Sequence, residues 1–318
     1  MNSQNLAATA TGSNPNTAPK DRKIPAVVRA RIWFVRWFLV TWIHLFSMSG
    51  LYRLGQFFGT LEYLTDYKRR RRVHALLRQY FNEEHPASWY RDMVKRYFMR
   101  IRCDKMFYTI MDRIPRGKLM NRIKLIGREN LDDAMSRGKG AYVALCHFGS
   151  FHVAGLMTAM LGYEIIGVRD AKESNVRRYI QNKYRETFPE VAAMKMFLAG
   201  SFPRQIYRAL HANKVVASLL DVGRSRGENL KTQQARIFSE ERDFLIGPIQ
   251  IALRCETPVL QGLVESRRNF YYRIVITPPL IPPETDAQED DNITKIVQQY
   301  AHGVETFARE HPDHVMNI

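Results

Sequence analysis

The chain has 318 residues, of which 45% are hydrophobic, and it carries a formal net charge of +17. This length and apolar content suit one large α/β domain with an appendage, or two domains, and exclude a chain that is disordered throughout. The charge predicts a polyanionic partner of one of three kinds: nucleic acid, an anionic membrane surface or a phosphorylated substrate. The only cysteines, Cys103, Cys146 and Cys255, are too few and too far apart for a disulfide framework or a cysteine zinc site.

The N-terminal part of the chain contains two contrasting segments. Residues 1–22 are rich in Asn, Ser, Thr, Ala and Pro and predict a disordered tail. Residues 32–59 are strongly apolar and contain three of the four tryptophans. The cleanest apolar stretch, Trp37 to Leu51, is shorter than the roughly 20 residues of a spanning helix. We expect a membrane anchor or interfacial helix, and the alternative is a buried helix of a soluble protein.

A basic region follows the apolar segment. It opens with five consecutive basic residues, Lys68 to Arg72, and later basic residues alternate with aromatic ones. Such a cluster suits an anionic leaflet or a phosphorylated lipid. No zinc-finger spacing or RNP-type signature accompanies the charge, so we expect no nucleic-acid partner. Residues 23–120 are therefore interpreted as a helical membrane-anchor and basic region.

Residues 121–318 have the pattern of an α/β domain. Six segments are predicted as strands: "RIKLIG", "AYVALC", "YEIIGV", "KVVASLL", "TPVLQGLV" and "FYYRIVITPPL". Amphipathic or apolar helical patterns separate most of them, and one of these helices is expected to end at Gly162. Strands that alternate with helices predict a mainly parallel central sheet flanked by helices.

Polar side chains stand at the ends of three predicted strands. His147 follows "AYVALC", Arg169 and Asp170 follow "YEIIGV", and Asp221 follows "KVVASLL". Ligand sites of open α/β sheets lie at the carboxyl ends of the strands, so one crevice is expected to hold all of these residues. Each residue taken alone is typical of a structural role, such as a turn or a helix cap. Three arginines lie on the helix after the second strand: Arg177, Arg178 and Arg185.

The segment "GRENLDDAMSRGKGAYVALCHFGSFHVAG" resembles the core of the bacterial lipid A late acyltransferases, within the lysophospholipid acyltransferase superfamily. That family carries a strand, then His-x4-Glu or His-x4-Asp, then a helix. The later segments "GVRDAKESNVRRYIQNKYRE", "NKVVASLLDVG" and "ARIFSEERDFLIGPIQIALRCETPVL" resemble it in the same order. The likeness covers roughly residues 30–318 and rests on the order and spacing of the motifs together.

The resemblance implies a membrane-bound enzyme on the cytoplasmic face of a bacterial inner membrane. It would move an acyl group from a carrier-protein or coenzyme A thioester to a hydroxyl of a phosphorylated glycolipid, without a metal or redox cofactor. His147 would be the general base, and Asp221 falls where the family has a further functional polar residue. Arginine grips phosphate through two hydrogen bonds, so four arginines are expected to bind substrate: Arg169, Arg178, Arg185 and Arg224.

Two features depart from the family pattern. His152 occupies the position of the acid, and the usual Trp-x-His-Arg-Arg tail is absent. A neutral His152 could accept the N–H of His147 and take a catalytic part by fixing its tautomer, but it would not stabilise an imidazolium as a carboxylate does. Three explanations stay open at this point. Asp221 or Asp170 supports His147; the donor is an aminoacyl carrier protein or the acceptor an amine; or the protein binds phosphoglycolipid without catalysis.

Overall fold

The computed structural model describes residues 24–169, 174–198, 202–221, 230–282 and 289–315. The predicted disordered tail therefore lies outside the described residues. Within the described ranges the strands are β1 (Ile123–Ile126), β2 (Ala141–Leu145), β3 (Ile165–Arg169), β4 (Lys195–Leu198), β5 (Val215–Leu219), β6 (Thr232–Ile237), β7 (Glu240–Leu245), β8 (Val259–Arg267) and β9 (Tyr271–Ile276). The helices are α1 (Ala26–Thr65), α2 (Tyr67–Tyr80), α3 (Ala87–Ile110), α4 (Arg116–Met120), α5 (Arg128–Ser136), α6 (Phe151–Met160), α7 (Asn175–Thr187), α8 (Pro189–Ala193), α9 (Phe202–His211), α10 (Gly247–Arg254) and α11 (Glu289–Glu310).

Seven of these strands form one sheet in the order β1-β9-β8-β2-β5-β3-β4. Strands β8, β2, β5, β3 and β4 are mutually parallel, whereas β9 is antiparallel to β8, and β1 runs parallel to β9. The α/β class and the mainly parallel sheet predicted from the sequence are confirmed. The register pairs Leu145 at the end of β2 with Leu219 at the end of β5. Residues that follow these two strands therefore emerge side by side.

The sheet is covered on both faces, which explains the near-continuous apolar runs of its central strands. Successive residues of β2 enter different parts of the core. Tyr142 and Ala144 pack in one buried cluster with residues of α2, α3 and α11, while Ala141 and Val143 pack in a second cluster with residues of α1, α6 and α7. Helix α6 ends as expected, because Gly162 follows its last turn with a φ of 99°.

Helix α1 is the one described helix long and apolar enough to cross a membrane, judged by length and composition. It is 40 residues long and is broken at Ser47, whose φ is 66°. Only 17% of its most apolar window is buried inside the protein. Arg36 fixes the first half of α1 to the end of α3, because its Nη2 lies 2.5 Å from Asp112 Oδ2 and its Nη1 donates to the Thr109 carbonyl.

Three strands were not expected from the sequence. Strand β4 is a four-residue edge strand, too short to give a clear pattern. Strands β6 and β7 form an antiparallel hairpin outside the main sheet, in a segment where no strand was predicted. The charged residues of β7 obscure its apolar alternation. The other strand of the hairpin, β6, packs against α11. The division of the chain at residue 121 remains a prediction.

Candidate active site

His147 and Asp221 meet at the carboxyl edge of the sheet. Each lies two residues beyond a strand end, and the register of β2 with β5 places them together. The Nδ1 atom of His147 is 2.9 Å from Asp221 Oδ1, and the backbone N–H of His147 donates to Asp221 Oδ2 at 2.6 Å. The Asp221 side chain is 1% exposed and that of His147 is 22% exposed. A buried carboxylate thus holds a partly open imidazole at two points.

This geometry sets the chemistry of the imidazole. A carboxylate that accepts the Nδ1–H leaves the lone pair on Nε2, which is the tautomer a general base needs. The same carboxylate would stabilise an imidazolium after proton transfer. Within the described ranges, no hydrogen bond is made by His147 Nε2. The pair can therefore take a proton from a group that approaches the open edge of the ring.

The loop after His147 is fixed by a glycine. Gly149 has a φ of 58°, and a Cβ atom there would overlap the carbonyl oxygen of Val264. Its N–H donates to the carbonyl of His314 at 3.3 Å. Below the loop, the hydroxyl of buried Tyr300 donates to the carbonyl of Leu145, the last residue of β2, at 2.8 Å. The backbone on either side of His147 thus packs closely on β8 and is hydrogen-bonded to α11 and to the C-terminal segment.

The C-terminal segment is itself held by a buried polar group. His314 Nε2 accepts the backbone N–H of Ser266 at 2.9 Å, so its Nδ1 carries the proton and donates to Asp313 at 2.9 Å. Burial, together with the charge of Arg100, lowers the pKa of His314. Burial alone would raise the pKa of Asp313, but the hydrogen bond from His314 and the charge of Arg100 hold it well below its usual range. A neutral imidazole beside an ionised carboxylate follows from these directions.

His152 does not pair with His147. Its Nε2 lies 2.8 Å from Nη2 of Arg177, and because guanidinium only donates, the imidazole accepts. Its ring lies 3.8 Å from that of Phe151, centroid to centroid. Burial, then the charges of Arg177 and His147, lower the pKa of His152 to about 3. The side chain in the place of the family's acid is therefore neutral and faces a cation.

The predicted arginines are distributed unevenly around this site. Arg178, in the first turns of α7, donates to Asn175 Oδ1 at 2.7 Å. Arg185 is exposed in the last turn of α7, about 12 Å along the helix axis from Arg177. The backbone of Arg169 ends β3, paired with Leu198 of β4, and its side chain is not among those described. Asp170 and Arg224 lie outside the described residues.

Several contributors to the site were not selected from the sequence. Tyr300 and His314 support the backbone before and after His147, respectively, from more than 150 residues away. No local pattern in the sequence marks them. Gly149 had a local signal, since a glycine two residues after a strand-end histidine is typical of a turn with positive φ.

One family of known proteins matches nearly the whole chain. The model of one family, described as bacterial lipid A biosynthesis acyltransferase, matches residues 18–318. No curated protein matches the chain. The family match confirms the resemblance seen in the sequence motifs.

Proposed function

The chain belongs to the bacterial lipid A biosynthesis acyltransferases, and from this premise we propose that it transfers a fatty acyl group from a carrier-protein or coenzyme A thioester to a hydroxyl of a phosphorylated lipid A-type acceptor. Family membership itself supports an acyltransferase that acts on lipid A. The observation that carries the proposed mechanism is the hydrogen-bonded pair of His147 and buried Asp221.

In the proposed reaction, His147 Nε2 takes the proton of the acceptor hydroxyl as its oxygen attacks the thioester carbonyl. The tetrahedral intermediate then collapses, the carbon–sulfur bond breaks, and the imidazolium returns the proton to the leaving thiolate. Asp221 keeps the ring in the required tautomer and stabilises the transient imidazolium. The missing carboxylate of the family pattern is thus supplied by the neighbouring strand rather than by α6.

The location of the enzyme is part of the same proposal. Membership of the family suggests membrane association. The exposed apolar residues of α1 and the basic residues of α2 are consistent with a protein that meets a lipid acceptor at an anionic surface. We place it on the cytoplasmic face of a bacterial inner membrane, where a carrier-protein or coenzyme A thioester is accessible.

The test uses the purified full-length protein with a phosphorylated lipid A-type acceptor and a fatty-acyl thioester, and it measures the intact mass of the lipid. We expect a mass gain equal to one fatty acyl group. His147→Ala should abolish the gain, and Asp221→Asn should lower kcat on the order of 10³- to 10⁴-fold. Lys139→Gln is the matched control. Lys139 is exposed and lies just before the start of β2, whereas His147 lies just after its end.

The same spectrum separates the alternatives. A gain the size of an amino acid, obtained only with an aminoacyl carrier protein, would replace fatty-acyl transfer by aminoacyl transfer. Lipid binding with no mass gain from any thioester would indicate a non-catalytic phosphoglycolipid-binding protein. Unchanged turnover by His147→Ala would refute the role of the pair of His147 and Asp221.

A further inference from the structure

Arg177 is held beside the site by an uncharged partner. Its Nη2 donates to His152 Nε2 at 2.8 Å, while its backbone N–H donates to Ser174 Oγ at the start of α7. His152 is neutral near pH 7, since its pKa is about 3. The contact therefore orients the guanidinium without compensating its charge.

Arg177 differs from other arginines of the protein in its partner, because several of the others pair with a carboxylate. Arg36 pairs with Asp112 at 2.5 Å and Arg116 with Glu190 at 2.6 Å. Across the ranges that the structure describes, no carboxylate forms an ion pair with Arg177, and Arg177 is exposed. The residue also stands in the first turn of α7, which has no acidic residue and where the helix dipole disfavours a cation. A cation kept in such a place is typical of a binding site for an anion.

The cation is close to the proposed base. The ring of Phe151 lies 5.3 Å from that of His147 and 3.8 Å from that of His152, centroid to centroid. His152 in turn contacts Arg177. The Phe151 ring thus lies beside both imidazoles, and the second imidazole contacts the guanidinium. A substrate whose reacting atom meets His147 brings its neighbouring groups within reach of this cation.

We infer that Arg177, oriented by His152, binds a phosphate group of a substrate beside His147. His152 is then a positioning residue that acts through Arg177, and it takes no proton. The hydrogen bond to His152 uses one N–H of the guanidinium and leaves others to grip phosphate oxygens in pairs. A carboxylate at position 152 would form an ion pair with Arg177 and compete with that phosphate. The inference rests on the proposed function for the location of the reacting atoms.

The phosphate has two chemical sources, the glycolipid acceptor and the pantetheine-bearing donor. The test measures binding to the full-length protein in detergent micelles, without turnover. Three probes are used: a lipid A-type acceptor with both phosphates, the same lipid after removal of its phosphates, and a non-hydrolysable acyl coenzyme A analogue. The variants are Arg177→Gln, His152→Glu and His152→Gln. Lys183→Gln is the matched control, because Lys183 lies on the same helix and pairs with Glu186.

We expect Arg177→Gln and His152→Glu to weaken binding of one phosphorylated probe about tenfold and to leave the dephosphorylated lipid within twofold. The probe that weakens identifies the source of the phosphate. His152→Gln should retain most of the affinity, because its amide oxygen can still accept from Arg177. Lys183→Gln should bind like the wild type.

The inference would be overturned if Arg177→Gln bound both phosphorylated probes as the wild type does. It would also be overturned if His152→Glu raised kcat in the acyl-transfer assay of the proposed function, because position 152 would then serve a catalytic acid. Failure of the proposed function is a separate result. If the wild type transferred no acyl group but the phosphate-dependent loss of binding was observed, the proposed acyl transfer would be refuted and the phosphate site would be supported.

Discussion

At the scale of single residues, Asp221 and His152 contact different partners, and neither position does the work of the other. Asp221 reaches His147 from the end of the neighbouring strand; its side chain is 1% exposed and accepts two hydrogen bonds from that one residue. His152 is turned toward Arg177. Separate residues can thus serve the base and the anion site, because each position meets a different neighbour.

The depressed pKa of His152 predicts a pH-dependent stability. Between pH 6.5 and about 3 the unfolded chain binds a proton at His152 that the folded chain does not. The free energy of unfolding therefore falls as the pH drops below 6.5, by at most about 1.4 kcal/mol per pH unit for this one group. Thermal melting in detergent at pH 7.5 and 5.0 should show a smaller loss for His152→Gln than for the wild type.

Other groups respond to acid as well, among them His314, whose pKa is also lowered. They are present in both proteins, so the difference between the two losses isolates His152. Equal losses in the wild type and His152→Gln would contradict a neutral His152 in the folded state.

At the scale of elements, the turn between β2 and α6 depends on its packing against β8 and the C-terminal segment. Gly149 is placed where its φ is positive and where the Val264 carbonyl leaves no room for a side chain. The His314 carbonyl accepts its N–H. The position of His147 is therefore set by elements far along the chain as well as by its own strand.

Gly149→Ala should displace this turn, because the new methyl group overlaps the Val264 carbonyl and the backbone strain alone costs about 1–3 kcal/mol. We expect a lower melting temperature and a loss of acyl transfer of at least tenfold.

Gly155→Ala is the matched control on α6. Nothing lies within 4 Å of a Cβ atom there, so a gain in stability of about 0.5–1 kcal/mol is expected from the better helix former. The reverse order of the two melting temperatures would show that the turn tolerates a side chain.

At the scale of the whole molecule, one face of α1 packs against the protein core and another exposes apolar side chains. Leu39 and Leu51 are buried in the core, and Arg36 is tied to Asp112. The opposite surface of the first half of α1 carries large exposed side chains: Trp33, Phe34, Trp37, Leu45 and Phe46. Contiguous exposed apolar surface of this kind marks a membrane or protein contact, and the family match favours the membrane.

Replacing Trp33, Trp37 and Leu45 together by Gln should reduce the fraction of protein that floats with anionic vesicles. Burial of each side chain in the bilayer contributes about 1.5–3 kcal/mol, so the expected loss of partitioning is more than tenfold. The fold should persist, because these side chains are 61%, 53% and 69% exposed. Leu61→Gln with Leu64→Gln probes the second half of α1. If only the variant with Leu61→Gln and Leu64→Gln failed to float with the vesicles, the second half of α1 rather than the first would be the membrane contact.

The sequence by itself determined the α/β class, the positions of most strands and the identity of His147 as a strand-end residue, because apolar runs and turn residues are local signals. It also showed that the family's acid is replaced by His152. Only the tertiary structure decided which carboxylate contacts His147, since Asp221 is 74 residues away and is brought there by the register of β2 with β5. The pairing of His152 with Arg177 across 25 residues depends in the same way on how α6 and α7 pack, which no local pattern specifies.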